Sequence, residues 1–337
     1  MSRPRVPAWL VYLLKSTVAV AVVVLMLRSG KLNPAVVASA AQRWPNLLLA
    51  AGFIGLIILI TSERWRILLG GHGVWIGHRQ AAALTLIGTL FSTVIPGAVS
   101  GDLVKAYYVR HHAPPGRRAL AVSAILMDRV LGLAALATVA AGGVIWNRHL
   151  VFSNPTLAWL GAAVLVGCAI GLAGLVALVA GGEAVLRLVH RLPSHFPARG
   201  LLLHLAEVAA AHHNQGPRMF FAYLLSFPVH LLGIAMLLAG LHAMDQVRAV
   251  PPSLLLFAFP LGMLVIAIPI TPAGVGVGQA AFYAICNLAV PGSGTAGANA
   301  FTIYQSVTIP VFLLGLIPYV SYRHEIPASP DPDETEG

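Results

Sequence analysis

Three polar features stand inside stretches apolar enough to face lipid, and each could handle charge. The first is Ser100-Gly101-Asp102, within QAAALTLIGTLFSTVIPGAVSGDLVKAYYVRHH over 80–112. A carboxylate at mid-bilayer costs about 2.5–3.5 kcal/mol on insertion scales, so water, a helix cap or a cation must offset it. Asp102 therefore reads as a carboxylate handling protons or a headgroup in a wet cavity, or as the N-cap of the helical arm that follows. The second is Asp128-Arg129 in SAILMDRVLGL. Neighbours on a helix point about 100° apart, so these two need not pair with each other. A guanidinium matches a phosphate bidentately, which suits Arg129 to a lipid phosphate; the competing reading is a buried ion pair, with Asp102 as a partner. The third is TPAGVGVGQ over 271–279, with Thr271, then Gly274, Gly276 and Gly278 at alternate positions, then Gln279. Amides without side chains can approach an anion, and a helix starting at Gln279 aims its positive end there. Close backbone packing is the competing task for such glycines.

The elements that position these residues are broken helices. Pro96 and Gly97 interrupt the first stretch, and Pro269 and Pro272 the second. Proline removes a donor and glycine frees φ, so neither stretch is expected to run straight. In lipid, broken backbone survives only where protein covers it or where it lines a water-filled cavity. Both stretches are therefore expected to be re-entrant hairpins, over about 81–110 and 253–290, with their breaks face to face. Apolar runs at 8–27, 47–60, 119–145, 157–180, 219–241 and 300–319 supply about six full transmembrane helices. The fold class is thus an all-α polytopic membrane protein. The order span, span, hairpin, span occurs twice, over 8–145 and 157–320, in opposite orientations: an inverted-topology repeat.

Composition agrees. The chain is 58% hydrophobic and 9% charged, with a mean hydropathy of +0.83. A cytoplasmic N-terminus places most of the 21 basic residues on the cytoplasmic side, as the positive-inside rule requires, and leaves the C-terminus there too. Arg3 and Arg5 before a long run interrupted by Lys15 suit a retained first helix better than a signal peptide. Glu63-Arg64-Trp65-Arg66 reads as interfacial anchoring at the end of the second span. The loop over 183–215 is expected to form helices lying at the cytoplasmic interface. Residues 1–323 form one membrane domain, and 324–337 an acidic tail expected to be disordered. The two cysteines, Cys168 and Cys286, lie in apolar segments and suggest neither a disulfide framework nor a metal site. No metal-ligand spacing, Walker sequence or nucleophile–base arrangement occurs, so no metal, no cofactor and no enzymatic activity are expected. No basic patch interleaved with aromatics points to nucleic acid.

FSTVIPGAVSGDLVKAYYVR, SAILMDRVLGL and PITPAGVGVGQAAF, in that order, resemble the flippase-like transmembrane domain of lysylphosphatidylglycerol synthases. The resemblance implies a stand-alone membrane domain that moves a lipid or lipid-linked intermediate between leaflets of the cell membrane. An anionic phospholipid or an isoprenoid-linked lipid is the implied partner. Lysyl transfer, which a separate soluble domain carries in those synthases, is not implied. The residues singled out are Pro96, Gly101, Asp102, Asp128, Arg129, Pro269, Thr271, Pro272, Gly274 and Gly276. The family usually has an acidic residue where this chain has Gln279. The alternative role is a non-transporting membrane subunit that supports a lipid-modifying or glycosyl-transferring enzyme.

Overall fold

The computed structural model describes residues 34–95, 100–114, 116–193, 196, 199–268 and 270–322, with isolated positions between 17 and 28. The expected first span is thus described only at scattered points. The 324–337 tail and the break residues Pro96, Gly97 and Pro269 lie outside the described residues. Everything regular in the described part is helical. Five helices are long and apolar enough to cross a membrane, and the chain is an all-α polytopic membrane protein.

The principal helices are α1 (Trp44–Gly71), α2 (His78–Val94), α3 (Ser100–His112), α4 (Arg118–Trp146), α5 (Pro155–His190), α6 (Arg199–His212), α7 (Gly216–Ala243), α8 (Leu255–Ala267), α9 (Val277–Ala289), α10 (Gly294–Leu313) and α11 (Leu316–Tyr322). Local sequence explains their ends. Asn154 accepts from the amides of Thr156 and Leu157 ahead of Pro155, a capped start with proline where its missing N–H is harmless. Both hairpins stop their first arm in the same way. Ile95 (φ −90°, ψ 119°) and Ile268 (φ −71°, ψ 120°) are extended, as the residue before a proline is biased to be.

Each hairpin closes on itself. Arms α2 and α3 meet at Gly88 and Gly101, where a Cβ on Gly101 would lie 2.0 Å from the Gly88 carbonyl oxygen. Arms α8 and α9 meet where the ring of Phe282 fills the space beside Gly262. The two hairpins then seat on opposite halves of α4. Arm α3 pairs with its first half, through Asp102 and Arg129. Arm α8 lies on its second half, where Gly143 faces the Leu256–Phe257 backbone. The other half of the molecule mirrors this. The first half of α10 packs on α9 through Gly294, Gly297 and Phe301, and its continuation meets α2, Gly315 lying against the Leu86 backbone. The counterpart spans α1 and α7 form the broadest contact between helices.

The core between these helices is aliphatic and aromatic. Trp65, Phe257, Phe282 and Phe301 are fully buried, and the last two stack at 4.8 Å. Leucines, isoleucines and valines cover the outside, while Trp44, Trp75, Trp146 and Trp159 stand exposed near helix ends as an interfacial belt.

Two expectations change. The helix containing Glu63-Arg64-Trp65-Arg66 continues to Gly71, so these residues lie inside α1, and Arg64 and Trp65 are buried rather than interfacial. Hydropathy fell there because a polar face turned inward, not because the span ended. Likewise 183–190 is not a separate interfacial helix: α5 runs unbroken to His190, and α6 alone is a distinct segment packed on α4 and α5.

Candidate functional site

Two ion pairs meet on consecutive residues of α4, and they differ in exposure. Arg64 on α1 grips Asp128 with two parallel bonds, Nε to Oδ1 at 2.6 Å and Nη2 to Oδ2 at 2.8 Å. Its Nη1 donates to Ser226 Oγ on α7 at 2.8 Å. The Arg64 and Asp128 side chains are 7% and 6% exposed. Gly132, one turn along α4, leaves room for the guanidinium. This fork ties α1, α4 and α7 together in the interior.

The neighbouring residue faces outward. Arg129 donates Nε to Asp102 Oδ2 at 2.7 Å and Nη2 to Asp102 Oδ1 at 2.9 Å. Its side chain is 54% exposed, that of Asp102 14%. Among the described residues Arg129 Nη1 has no hydrogen-bond partner, so the fork keeps donors to offer. Arg129 is eleven residues into α4, about 16 Å along a helix rising 1.5 Å per residue. The helix is 29 residues long, so Arg129 lies in its central third. A half-exposed guanidinium there is costly in a membrane unless water or an anion meets it.

Lys105, one turn beyond Asp102 on α3, is buried, and its Nζ lies 4.8 Å from the centre of the Trp65 ring. No carboxylate among the described residues lies within 4.0 Å of it. Arg64, Lys105 and Arg129 face Asp102 and Asp128, so the cluster holds one cation more than carboxylate. On the side of α3 turned away from Asp102, Phe91, Leu103, Val104, Tyr107, Tyr108 and Tyr319 line an open apolar groove of about 280 Å³ between α2, α3 and α11. Its floor is the outer face of α3, the helix that carries Asp102.

Ser100 and Gly101 shape the hairpin tip. Ser100 Oγ donates towards the carbonyls of Ile95 and Phe91 at 3.2 and 3.3 Å, and Gly101 permits the close approach to α2. At the second break Ala273, Gly274 and Gly276 take φ of 50°, 70° and 82°. This left-handed region explains glycine at 274 and 276, while Ala273 bears strain. The amides of Gly274 and Val275 donate to the carbonyls of Thr271 and Pro272. Gly276 N donates to Gln279 Oε1 at 2.7 Å; Gln279 Nε2 donates to Gln305 Oε1 at 2.7 Å, and Gln305 Nε2 to the Ala273 carbonyl at 2.8 Å. Gly278 lies against the Phe301 ring. The expectation of free glycine amides facing an anion therefore needs correction: over 274–276 they are spent inside the turn, and Gly278 is a packing residue. Thr271 is buried and its hydroxyl has no partner among the described residues.

Of the residues named from sequence, Ser100, Gly101, Asp102 and Arg129 come together at hairpin one, and Asp128 lies behind them in the core. Thr271, Gly274, Gly276, Gly278 and Gln279 form the second turn, whose Pro272–Gly274 segment packs against α2 of the first hairpin. Sequence reasoning missed Arg64, Lys105 and Ser226. For Lys105 the available signal was a cation three residues after the intramembrane carboxylate Asp102, within helical reach of it.

Neither a curated protein nor a solved structure matches this chain. Residues 12–315 match the family model described as the lysylphosphatidylglycerol synthase TM region, and the chain belongs to that family.

Proposed function

We propose that this protein moves an anionic, phosphate-bearing lipid between the leaflets of the cytoplasmic membrane, as a flippase or scramblase, without a covalent step of its own. The observation that carries the reading is the Asp102–Arg129 pair. It sets a half-exposed guanidinium with unused donors in the central third of a helix long and apolar enough to cross a membrane, in a cluster with surplus positive charge. A guanidinium fork is the side chain best shaped for a phosphate. The apolar groove on the other face of α3 suits a hydrocarbon tail, so that head and tail are handled on one helix. Family membership supports a role tied to membrane lipid. Both termini are taken as cytoplasmic. The two hairpins seat on opposite halves of α4, which suits rocking of one repeat against the other as the means of alternating access.

The test is reconstitution into vesicles containing a tail-labelled phosphatidylglycerol and addition of a membrane-impermeant quencher. Wild-type protein is expected to expose label from both leaflets, where protein-free vesicles expose only the outer half. Arg129→Gln is expected to slow transfer about tenfold or more, the scale of losing one charge-assisted fork. Arg129→Lys, which keeps the charge but not the fork, is expected to fall between. Wild-type-like transfer in both variants would overturn the assignment.

A further inference from the structure

Binding a phosphate at Arg129 raises a problem that the resting structure answers. Asp102 uses Nε and Nη2 of the same guanidinium. On the open Nη1 edge a phosphate would sit against the Asp102 carboxylate, and on the Nε–Nη2 edge it must displace it. Asp102 is largely covered, and a covered carboxylate stripped of its cation is strongly disfavoured. Without a second cation, Asp102 would expel the ligand it helps to position.

Lys105 is that second cation. It lies three residues after Asp102 on α3, the spacing at which helical side chains are neighbours about 5–6 Å apart at Cβ, with the acid N-terminal to the base. Every other cation of the cluster is already committed: Arg64 to Asp128 and Ser226, Arg129 to Asp102. Lys105 alone has no carboxylate within 4.0 Å among the described residues, and its ammonium rests over the Trp65 ring. A cation–π contact is weaker than a buried ion pair. Its stem lies against Gly88, whose missing side chain leaves room along α2.

We infer that Lys105 takes over Asp102 when a lipid phosphate takes Arg129, so that phosphate binding and the Asp102–Lys105 pair form together. The inference rests on the reading of Arg129 as the headgroup site. The exchange keeps every charge paired and leaves Trp65 uncovered. It also makes the site selective for net negative headgroups. The phosphate of a zwitterionic lipid arrives with its own cation, which competes with Arg129.

A double-mutant cycle tests it, using purified full-length protein in detergent and short-chain phosphatidylglycerol as the probe. Lys105→Gln is expected to weaken binding about tenfold, because Asp102 is then left without a partner. Asp102→Asn is expected to bind at least as tightly as wild type, since the competing carboxylate is gone. Adding Lys105→Gln to Asp102→Asn is expected to cost nothing more. Trp emission should change on binding in wild type and not in Lys105→Gln or Trp65→Phe. Lys105→Met serves as a second variant if the glutamine form is unstable, since it retains the apolar stem. Equal losses from Lys105→Gln in both backgrounds would overturn the exchange, as would wild-type binding by Lys105→Gln where Arg129→Gln fails to bind. In that last case the headgroup reading survives. If Arg129→Gln also binds normally, the reading falls and takes the exchange with it. Inorganic phosphate is expected to bind far more weakly than the lipid; equal affinity would mean a free-anion site and contradict both.

Discussion

Asp128 and Arg129 are adjacent in sequence and belong to two different ion pairs. Asp128 faces the interior, held by Arg64, and both side chains are almost wholly covered. Removing one partner of such a pair strands the other, at a cost of about 3–5 kcal/mol. Arg64→Gln and Asp128→Asn are therefore expected to lower the unfolding midpoint sharply in detergent. Arg129→Gln, exposed on one side, is expected to lower it less while losing lipid transfer. Equal destabilisation by all three would contradict the division of roles. The intramembrane charges Asp102, Asp128 and Arg129 were legible in the sequence because lipid leaves few reasons to keep a charge. Their partners were less so. Arg64 lies 64 residues from Asp128, and no local pattern reports such a contact. Lys105 was hidden differently: it sits near a basic helix end, where a lysine ordinarily needs no explanation.

At the scale of the element, glycine positions discriminate sharply. Gly142 and Gly143 are consecutive on α4. A Cβ at 142 meets nothing within 4 Å, whereas at 143 it would lie 2.6 Å from the Leu256 carbonyl group. Gly143→Ala is expected to destabilise by about 1–3 kcal/mol through overpacking, and Gly142→Ala to be neutral or stabilising. Thermal unfolding of the two variants side by side checks this; equal midpoints would mean that α8 does not seat on α4 as described. A second device lies where α1 ends. His72 Nε2 and His212 Nε2 are 2.8 Å apart, both buried, and Gln215 Nε2 lies 3.2 Å from His72 Nδ1. Burial, then the charges of His212 and Arg218, push the His72 imidazole down to about 4. The unfolded chain then takes up this proton near pH 6.5 and the folded chain does not, so stability contributed here is present above about 6.5 and is lost as pH falls towards 4. The unfolding midpoint is expected to drop across that window, and His72→Gln to flatten the drop; an unchanged pH profile in the variant would contradict it. The hairpins were legible because Ile-Pro steps end their first arms. The turn chemistry was not. Gln279 reads as a candidate ligand beside glycines, and only the fold shows it capping Gly276 and bonding Gln305.

For the whole molecule, the packings around the two hairpins correspond between the described halves: α3 on α4 with α9 on α10, α8 on α4 with α2 on α10 and α11, and α1 on α7 at the centre. Few residues correspond between the halves, since lipid-facing helices need only be apolar. The arrangement predicts sidedness. With Cys168 and Cys286 replaced by Ala, single cysteines at Gly77 and His111 are expected to label from one face of the membrane. Those at Arg248 and Pro291 are expected to label from the other. Labelling of Gly77 and His111 from opposite faces would mean that the first hairpin crosses the bilayer. The claim that matters most is that a lipid phosphate rests on Arg129 with its tail in the groove across α3. Leu103 lines that groove next to Asp102, so a photo-reactive benzoylphenylalanine at 103 reports the occupant directly. Mass spectrometry of the adduct formed in native membranes should find anionic phospholipid enriched over its share of the bilayer, and the enrichment should vanish with Arg129→Gln. Adducts in bulk bilayer proportions, unchanged by that substitution, would show only surrounding lipid and contradict the account.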